Sequence, residues 1–212
     1  MNTKGEGGIP LQQIFNELIK QDIKPFLIKL GFKKKGLNFY RTNENLIYLI
    51  NFQKSSGNTA DTMMFYVNCG IYAAELARLQ SREMVTAPKE AECHFRARIN
   101  SIVEDAPDRF SITATTNLDK FTKILLLGLE EVHNFYETMT SARSIVDYYI
   151  AGPFLHLGEE SFHFLLQAND VTTAKLYFNA LQKKHGTEQR WSIFQNKYQA
   201  IFDQYGVEFG EN

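Results

Sequence analysis

LGFKKKGLNFYRTNENLIYLINFQKS, which runs from Leu30 to Ser55, is the stretch that decides the fold. Before it, apolar residues recur at helical spacing, whereas inside it the apolar and polar residues alternate at every second position. Strands are therefore predicted over 37–41 and 46–54, and the TNEN segment between them has the composition of a turn. The two strands form a hairpin, which predicts an antiparallel sheet at the centre of the fold.

An amphipathic helix is predicted on the N-terminal side of this stretch, over residues 11–30. Pro25 lies inside it and removes one helical hydrogen bond, so a kink or a break is expected near Ile23. Gly31 suits the left-handed position that ends a helix. The first ten residues are rich in glycine and are expected to be irregular.

On the C-terminal side the pattern predicts further strands and then only helices. A third strand is predicted over 62–72, and candidate fourth and fifth strands cover 92–99 and 109–114, although 92–99 also fits a helix. Thr116 and Asp119 resemble a capping box at the start of a long helix. Further helices are predicted over 141–150, 159–166, 171–184 and 188–205.

This order of elements, a helix followed by an antiparallel meander of four to five strands and a helical region, predicts the α+β class. The predicted domain organisation is an α+β domain over 1–140 and a helical extension over 141–212 that packs on the same domain. No internal repeat is evident.

The composition is that of a globular protein without a dominant charge. Hydrophobic residues make up 44% and charged residues 22% of the 212 residues, and the formal net charge is −1. Charge is uneven, because the residues up to Lys54 include nine Lys or Arg against four Asp or Glu. The sequence shows neither a signal-peptide core nor a membrane-spanning segment, and its two cysteines form no CxxC pair. A cytoplasmic protein with reduced thiols is predicted.

Alternation along the strands predicts two chemically different faces of the sheet. One face is continuously apolar and is expected to be covered by the N-terminal helix or by the long helix. The other face mixes aliphatic residues with aromatic and amide side chains: Tyr40, Asn51, Gln53, Tyr66 and Asn68. Such a surface suits hydrogen-bonded recognition of a neutral ligand, a peptide or a base. The alternative is that the amides pair with turns and loops or face water.

A run of three lysines precedes the first predicted strand: Lys33, Lys34 and Lys35. Together with Lys29, Arg41 and Lys54 they would attract a phosphate or an acidic partner. The alternative is an exposed edge strand, which lysines protect against pairing with another chain. Nucleic acid is a less favoured partner, because the whole chain carries little net positive charge.

Arg96 and Arg98 fall on one side of the fourth predicted strand, together with His94. They would clamp a carboxylate or a phosphate through forked hydrogen bonds. In the alternative, the two arginines pair with acids at the rim of the sheet, namely Glu92, Glu104 or Asp105.

Two Glu-x-x-His elements occur at the i, i+3 spacing that di-iron helical bundles use: Glu130 with His133, and Glu160 with His163. Such a centre also needs inward-facing glutamates from two further helices, and the predicted helices do not offer them. No metal site and no cofactor is therefore predicted.

Nucleophilic catalysis has little support in the sequence. Cys69 falls in an apolar strand row, and Cys93 and His94 are adjacent, so in a strand they would point to opposite faces. The P-loop, GxSxG and HExxH motifs are absent. Whether the protein is an enzyme is left open, and no catalytic residue is assigned.

GFKKKGLNFYR, INFQKS and NCGIY occur in this order, followed by Cys93, Arg96, Arg98 and Ile99. This combination resembles a family of uncharacterised, mainly bacterial proteins that is known only as a domain of unknown function. The resemblance covers roughly the first two-thirds of the chain. It implies an N-terminal amphipathic helix followed by strands, and it implies no activity.

The sequence favours a non-enzymatic protein that binds another protein or a small polar ligand. The expected binding residues are those of the polar face and its basic edge: Lys33, Lys34, Lys35, Tyr40, Asn51, Gln53, Tyr66, Asn68, Arg96 and Arg98. The second hypothesis is an enzyme with a pocket that brings the two arginines and His94 close to Asn51 and Asn68. A third hypothesis is single-stranded nucleic acid stacked on the aromatic side chains of the sheet.

Overall fold

The computed structural model describes residues 9–80 and 83–208, and its fold is α+β, as predicted. Its strands are β1 (Lys33–Lys35), β2 (Asn38–Asn43), β3 (Leu46–Lys54), β4 (Met63–Ala73), β5 (Phe95–Arg98) and β6 (Phe110–Ile112). They form one sheet in the order β1-β2-β3-β4-β5, and β6 pairs with the other end of β4. The predicted hairpin is thus β2 and β3, and the lysine run is itself a short edge strand.

Most of the helices precede or follow the strands in the sequence. They are α1 (Leu11–Glu17), α2 (Lys24–Lys29), α3 (Ala74–Leu79), α4 (Leu118–Thr138), α5 (Ala142–Ala151), α6 (Gly158–Gln167), α7 (Val171–His185) and α8 (Trp191–Gln204). Two compact units result. The first comprises Met1–Tyr72 and Thr86–Thr138, and the second comprises Ala73–Val85 and Met139–Asn212.

The N-terminal helix changes its hydrogen-bonding pattern where a kink or a break was predicted, but it does not end there. A π-helical turn, Leu18–Ile23, joins α1 to α2, and Pro25 lies in the first turn of α2. The proline therefore disturbs the helix but does not end it. The helix ends as predicted at Gly31, which has a φ of +85°. There Gly31 N–H donates to the carbonyl of Ile28 and Phe32 N–H to that of Leu27, as in a Schellman motif.

The apolar face of the sheet is covered by α1 and α4, so both helices that were candidates for this role take part. Phe65 of β4 is the centre of the aromatic core. Its ring centroid lies 5.0 Å from that of Phe15 in α1, 5.4 Å from that of Phe110 in β6 and 6.2 Å from that of Phe121 in α4. Burial of these rings supplies much of the hydrophobic stabilisation of the first unit.

The hydroxyl group of Tyr136 links α4 directly to the backbone of the two central strands. It donates a hydrogen bond to the carbonyl of Leu49 in β3 (2.7 Å) and accepts one from the N–H of Gly70 in β4 (3.1 Å). The side chain is fully buried, and its ring centroid is 5.1 Å from that of Tyr48. One buried side chain thus satisfies two backbone groups.

The start of α4 differs from the predicted capping box. The side chain of Asn117 accepts a hydrogen bond from the N–H of Lys120 and caps the helix. Thr116 instead accepts one from the N–H of Thr113, in the preceding turn. The cap is therefore one residue later than predicted, because the threonine hydroxyl stabilises the turn.

The second unit consists of α3 and the four helices from α5 onward, whose bounds lie within a few residues of those predicted. Asp170 caps α7 by accepting a hydrogen bond from the N–H of Thr173 at 3.2 Å. The Nη1 of Arg143, in α5, donates to the same carboxylate at 2.9 Å. The hydrogen bonds from Thr173 and the guanidinium of Arg143 hold the pKa of Asp170 below its ordinary value.

Replacing Tyr136 by phenylalanine should lower the free energy of unfolding by about 2 kcal/mol, because two buried backbone groups lose their partner. Urea unfolding followed by circular dichroism measures the loss. The control is Tyr66→Phe, which changes a half-buried tyrosine on the other face of the same sheet. This substitution should cost less than about 0.5 kcal/mol. Equal effects of the two substitutions would show that the Tyr136 hydroxyl has no special structural role.

Asp170→Ala should lower the stability of the helical unit by about 1 kcal/mol, whereas Asp170→Asn, which keeps a capping oxygen, should lower it by a few tenths. Because the pKa of Asp170 is depressed in the folded protein, its charge stabilises at neutral pH, and this contribution is lost as the pH falls below 3.8. Thermal unfolding of the wild type and Asp170→Asn at about pH 7 and about pH 3 tests the sign. A difference that widens at the lower pH would contradict it.

Candidate functional site

Four amide side chains on three neighbouring strands form a hydrogen-bonded chain. The Nδ2 of Asn68 donates to the Oδ1 of Asn51 at 3.0 Å and to the Oε1 of Gln53 at 2.9 Å. The Nδ2 of Asn51 in turn donates to the Oδ1 of Asn38 at 2.6 Å. We call these four residues the amide chain. The bonds place all four amides on one face of the sheet.

The amide chain is partly buried and partly open to solvent. Asn68 is only 8% exposed, Asn38 and Asn51 are half-buried, and Gln53 is exposed. The amides therefore pair mainly with one another, and not with turns or loops. The binding residues named from the sequence did not include Asn38. Strand alternation already places it on the polar face, but only the register of β2 with β3, which sets it opposite Asn51, shows that it joins the chain.

The three lysines of β1 are divided between the two faces of the sheet. Lys33 is opposite Tyr40, so it lies on the face of the amide chain; Lys35, opposite Asn38, lies there too. Lys34 is opposite Phe39, a core residue of the other face. All three lysines are exposed, and among the described residues none of them forms an ion pair.

Arg41 and Lys54 do not join the lysines on the polar face. The guanidinium of Arg41 pairs with Glu137 of α4 and lies 4.6 Å from the ring centroid of Tyr48. The Nζ of Lys54 lies 5.3 Å from the ring centroid of Phe15. Both side chains therefore belong to the helix-covered face. Alternation along β2 and β3 predicts this placement, because Arg41 is two residues from Phe39 and Lys54 is two residues from Phe52, and such residues lie on the same face of a strand.

The two arginines of β5 are held at the rim by carboxylates. Arg96 makes a forked contact with Glu90, through Nε at 2.8 Å and Nη2 at 3.1 Å. The Nη1 of Arg98 is 2.5 Å from Asp108, and its guanidinium carbon lies 4.2 Å from the ring centroid of Tyr66. The sequence anticipated rim ion pairs but named other acids. The actual partners come from a 3₁₀ turn and a loop whose paths the sequence pattern does not predict.

One end of the polar face is covered by the segment that precedes β5. A side chain at Gly70 would place its Cβ 2.7 Å from the Sγ of Cys93, so the glycine makes room for this cysteine. Leu49, on the neighbouring strand, is fully buried. The face therefore has an open part around the amide chain and a closed end near Gly70, where Tyr40, opposite Leu49, is half-buried.

Two residues of the second hypothesis, Arg96 and Arg98, lie opposite Gly70 and Asn68 of β4, so they share the polar face with the amide chain. His94 is only 3% exposed, and its ring centroid is 5.2 Å from that of Tyr72. Arg96 and Arg98 are exposed and bound to carboxylates, while Asn51 and Asn68 bind each other. Catalysis would require these groups to converge on a substrate, whereas here each of the two arginines contacts a carboxylate of its own.

The Glu-x-x-His elements make other contacts. The Nδ1 of His133 is 3.6 Å from Glu137, Gln80 donates to Glu160, and the Nδ1 of His163 is 3.3 Å from the hydroxyl of Tyr205. Across residues 9–80 and 83–208, no group of three or more His, Cys, Asp or Glu side chains is arranged to hold a metal ion.

Comparison with known proteins places this sheet in a family. A protein-family model described as Domain of unknown function (DUF4304) matches residues 23–133, which is just over half of the chain. The chain belongs to DUF4304. The DUF4304 match contains β1 to β6, the whole amide chain and most of α4. No curated protein and no solved structure matches the chain. In the described part of this DUF4304 protein, no helix is long and apolar enough to cross a membrane.

Neither cysteine of this DUF4304 protein has the features of a nucleophile. Both thiols are buried, and burial raises the pKa of Cys69 and that of Cys93 to about 12. Only the thiolate attacks, so the reactive fraction at neutral pH is very small.

Iodoacetamide at about pH 8 should therefore modify neither thiol of the folded protein in the time that alkylates both in urea, because the thiolate fraction is lower by a factor of about 1,000. Mass spectrometry of the intact protein follows the reaction. Cys93→Ser assigns any modification to one of the two sites. Rapid alkylation of native Cys93 would contradict this expectation, because a reactive thiol would favour a catalytic function.

Proposed function

We propose that this DUF4304 protein is a non-enzymatic binding protein, and that the open polar face of its sheet binds an acidic segment of another protein. The observation that carries the proposal is the juxtaposition of Lys33 and Lys35 with the amide chain and Tyr40 on that face. Their cross-strand pairing with Tyr40 and Asn38 brings two positive charges beside a row of hydrogen-bonding groups.

The amide chain supports the proposal because it is ordered before any partner arrives. Its internal hydrogen bonds hold Asn38, Asn51 and Asn68 in place, which lowers the entropy lost on binding. Gln53 accepts from Asn68 through Oε1, and the rest of its exposed amide faces solvent. An amide offers two N–H donors at its nitrogen, so Gln53 can still donate to a carbonyl or a carboxylate of a partner.

The charge distribution favours an acidic partner. At the β5 rim, Glu90 and Asp108 already neutralise Arg96 and Arg98. At the β1 edge, the three lysines form no ion pair with the described residues, so their charge is available to a partner. Complementary charge speeds the encounter of two proteins and selects among partners. The same ion pairs weaken the enzyme hypothesis, because they occupy both arginines.

Lys33→Glu and Lys35→Glu should each weaken partner binding by on the order of tenfold, because each reverses a charge on the proposed face. Lys34→Glu is the matched control, since this lysine lies on the same strand with similar exposure but on the opposite face. Affinity purification from a native lysate with quantitative mass spectrometry identifies proteins that wild type retains, and titration with the purified partner gives the affinities.

A partner lost with Lys33→Glu, Lys35→Glu and Gln53→Ala but kept with Lys34→Glu supports the proposal. If the three lysine variants retain every partner equally, the polar face is not the binding surface. If Lys33→Glu, Lys34→Glu and Lys35→Glu all weaken the binding of acidic proteins to the same extent, the attraction is non-specific and the proposal is wrong.

A further inference from the structure

A second surface of the first unit is a groove between the N-terminal helix and α4. Asp22, from the π-helical turn, and Phe26, from α2, form one side of it. The outward side of α4 forms the other, with Leu118, Leu126 and Leu127. We call this the α4 groove. It is remote from the polar face, because α4 covers the opposite face of the sheet.

The α4 groove exposes apolar side chains that folding leaves in water. Leu118 is 39% exposed and Leu127 is 51% exposed, and Phe26 and Leu126 are half-buried. Leu125 and Leu129 of the same helix are buried instead in the core. The lining of the groove therefore includes apolar surface that the fold does not cover. Burial of such a surface by a partner is favourable in proportion to its area.

The rim of the α4 groove is acidic. Asp22, Asp119 and Glu130 line it, with Lys123 as the one cation among the lining residues that the structure describes. In the described part of the chain, none of these four side chains forms an ion pair. The carboxylates are thus available to a cation from outside. An apolar floor with a negative rim complements an apolar stripe flanked by lysines or arginines.

The dimensions fit a helix. From Leu118 to Glu130 the groove follows α4 for about 18 Å, which corresponds to about three helical turns of a bound segment. We propose that the α4 groove binds a basic amphipathic helix of a partner protein, with apolar residues at i, i+3 or i+4, and i+7 against Phe26, Leu126 and Leu127. This proposal is independent of the proposed function of the polar face, because the two surfaces share no residue.

The probe for this site is a fluorescein-labelled peptide of about 14 leucines and lysines, with the leucines at helical spacing. Wild type should bind it, and binding should weaken as salt screens the rim charges. Leu127→Gln should weaken binding by about tenfold through lost apolar burial. Asp119→Asn/Glu130→Gln should weaken it similarly and should reduce its salt dependence. Fluorescence anisotropy measures each affinity.

Two matched controls separate the groove from general effects. Ile28→Gln changes a 49% exposed apolar side chain outside the groove, and Glu104→Gln/Asp105→Asn removes two exposed acids elsewhere in the first unit. Both should bind the peptide as wild type does. A peptide of the same composition with the leucines scrambled should bind more weakly, because it lacks an apolar stripe.

The peptide experiment would overturn the proposal by showing no binding to wild type, equal binding of the scrambled peptide, or equal losses in the control variants. Sedimentation equilibrium of wild type and Leu127→Gln addresses a second copy as the occupant. Wild-type dimers that Leu127→Gln converts to monomers would show that the groove is a self-association surface and overturn the proposal of a partner helix. None of these outcomes would count against the binding of acidic partners at the polar face.

Discussion

The Tyr136 hydroxyl is the contact on which the arrangement of the first unit depends. It bonds to the carbonyl of Leu49 and to the N–H of Gly70, so it fixes the long helix against the backbone of both central strands. Side-chain packing alone tolerates small shifts, whereas two buried hydrogen bonds to the backbone set a position. With α4 and α1 held on one face, the other face of the sheet is left to carry polar side chains. The division between a structural face and a candidate binding face follows from this.

The amide chain has a structural role that is compatible with the role in recognition that we propose for it. A buried amide is costly unless its hydrogen bonds are made, and Asn68 meets this condition by donating to Asn51 and Gln53. The chain therefore stabilises the polar face without closing it. A face of unpaired amides would bind water and give less orientation to a partner. The mutual pairing found here makes the face a preformed surface, in which only the outermost groups remain open.

The net charge of −1 conceals two surfaces of opposite charge. Lysines on β1 make one edge of the polar face positive, and three carboxylates make the rim of the α4 groove negative. The net charge does not reveal this separation of charge, although the separation decides which partners approach each surface. It also matters that the arginines of β5 are neutralised by Glu90 and Asp108 while the lysines of β1 are not. Basic residues at the two edges of one sheet therefore differ in their availability to a partner.

The sequence by itself determined the α+β class, the hairpin and the sorting of side chains between the two faces. These follow from local geometry, because alternation along a strand and the 3.6-residue period of a helix are properties of the backbone. The same rule places Asn51 and Asn68 on the polar face and separates Lys34 from its neighbours. Only the tertiary structure decided that Asn38 completes the amide chain, that Cys93 closes one end of the face above Gly70, and that Tyr136 reaches both central strands. These contacts join residues far apart in the chain, and their existence depends on the register of the strands and the paths of the loops, which no local period encodes.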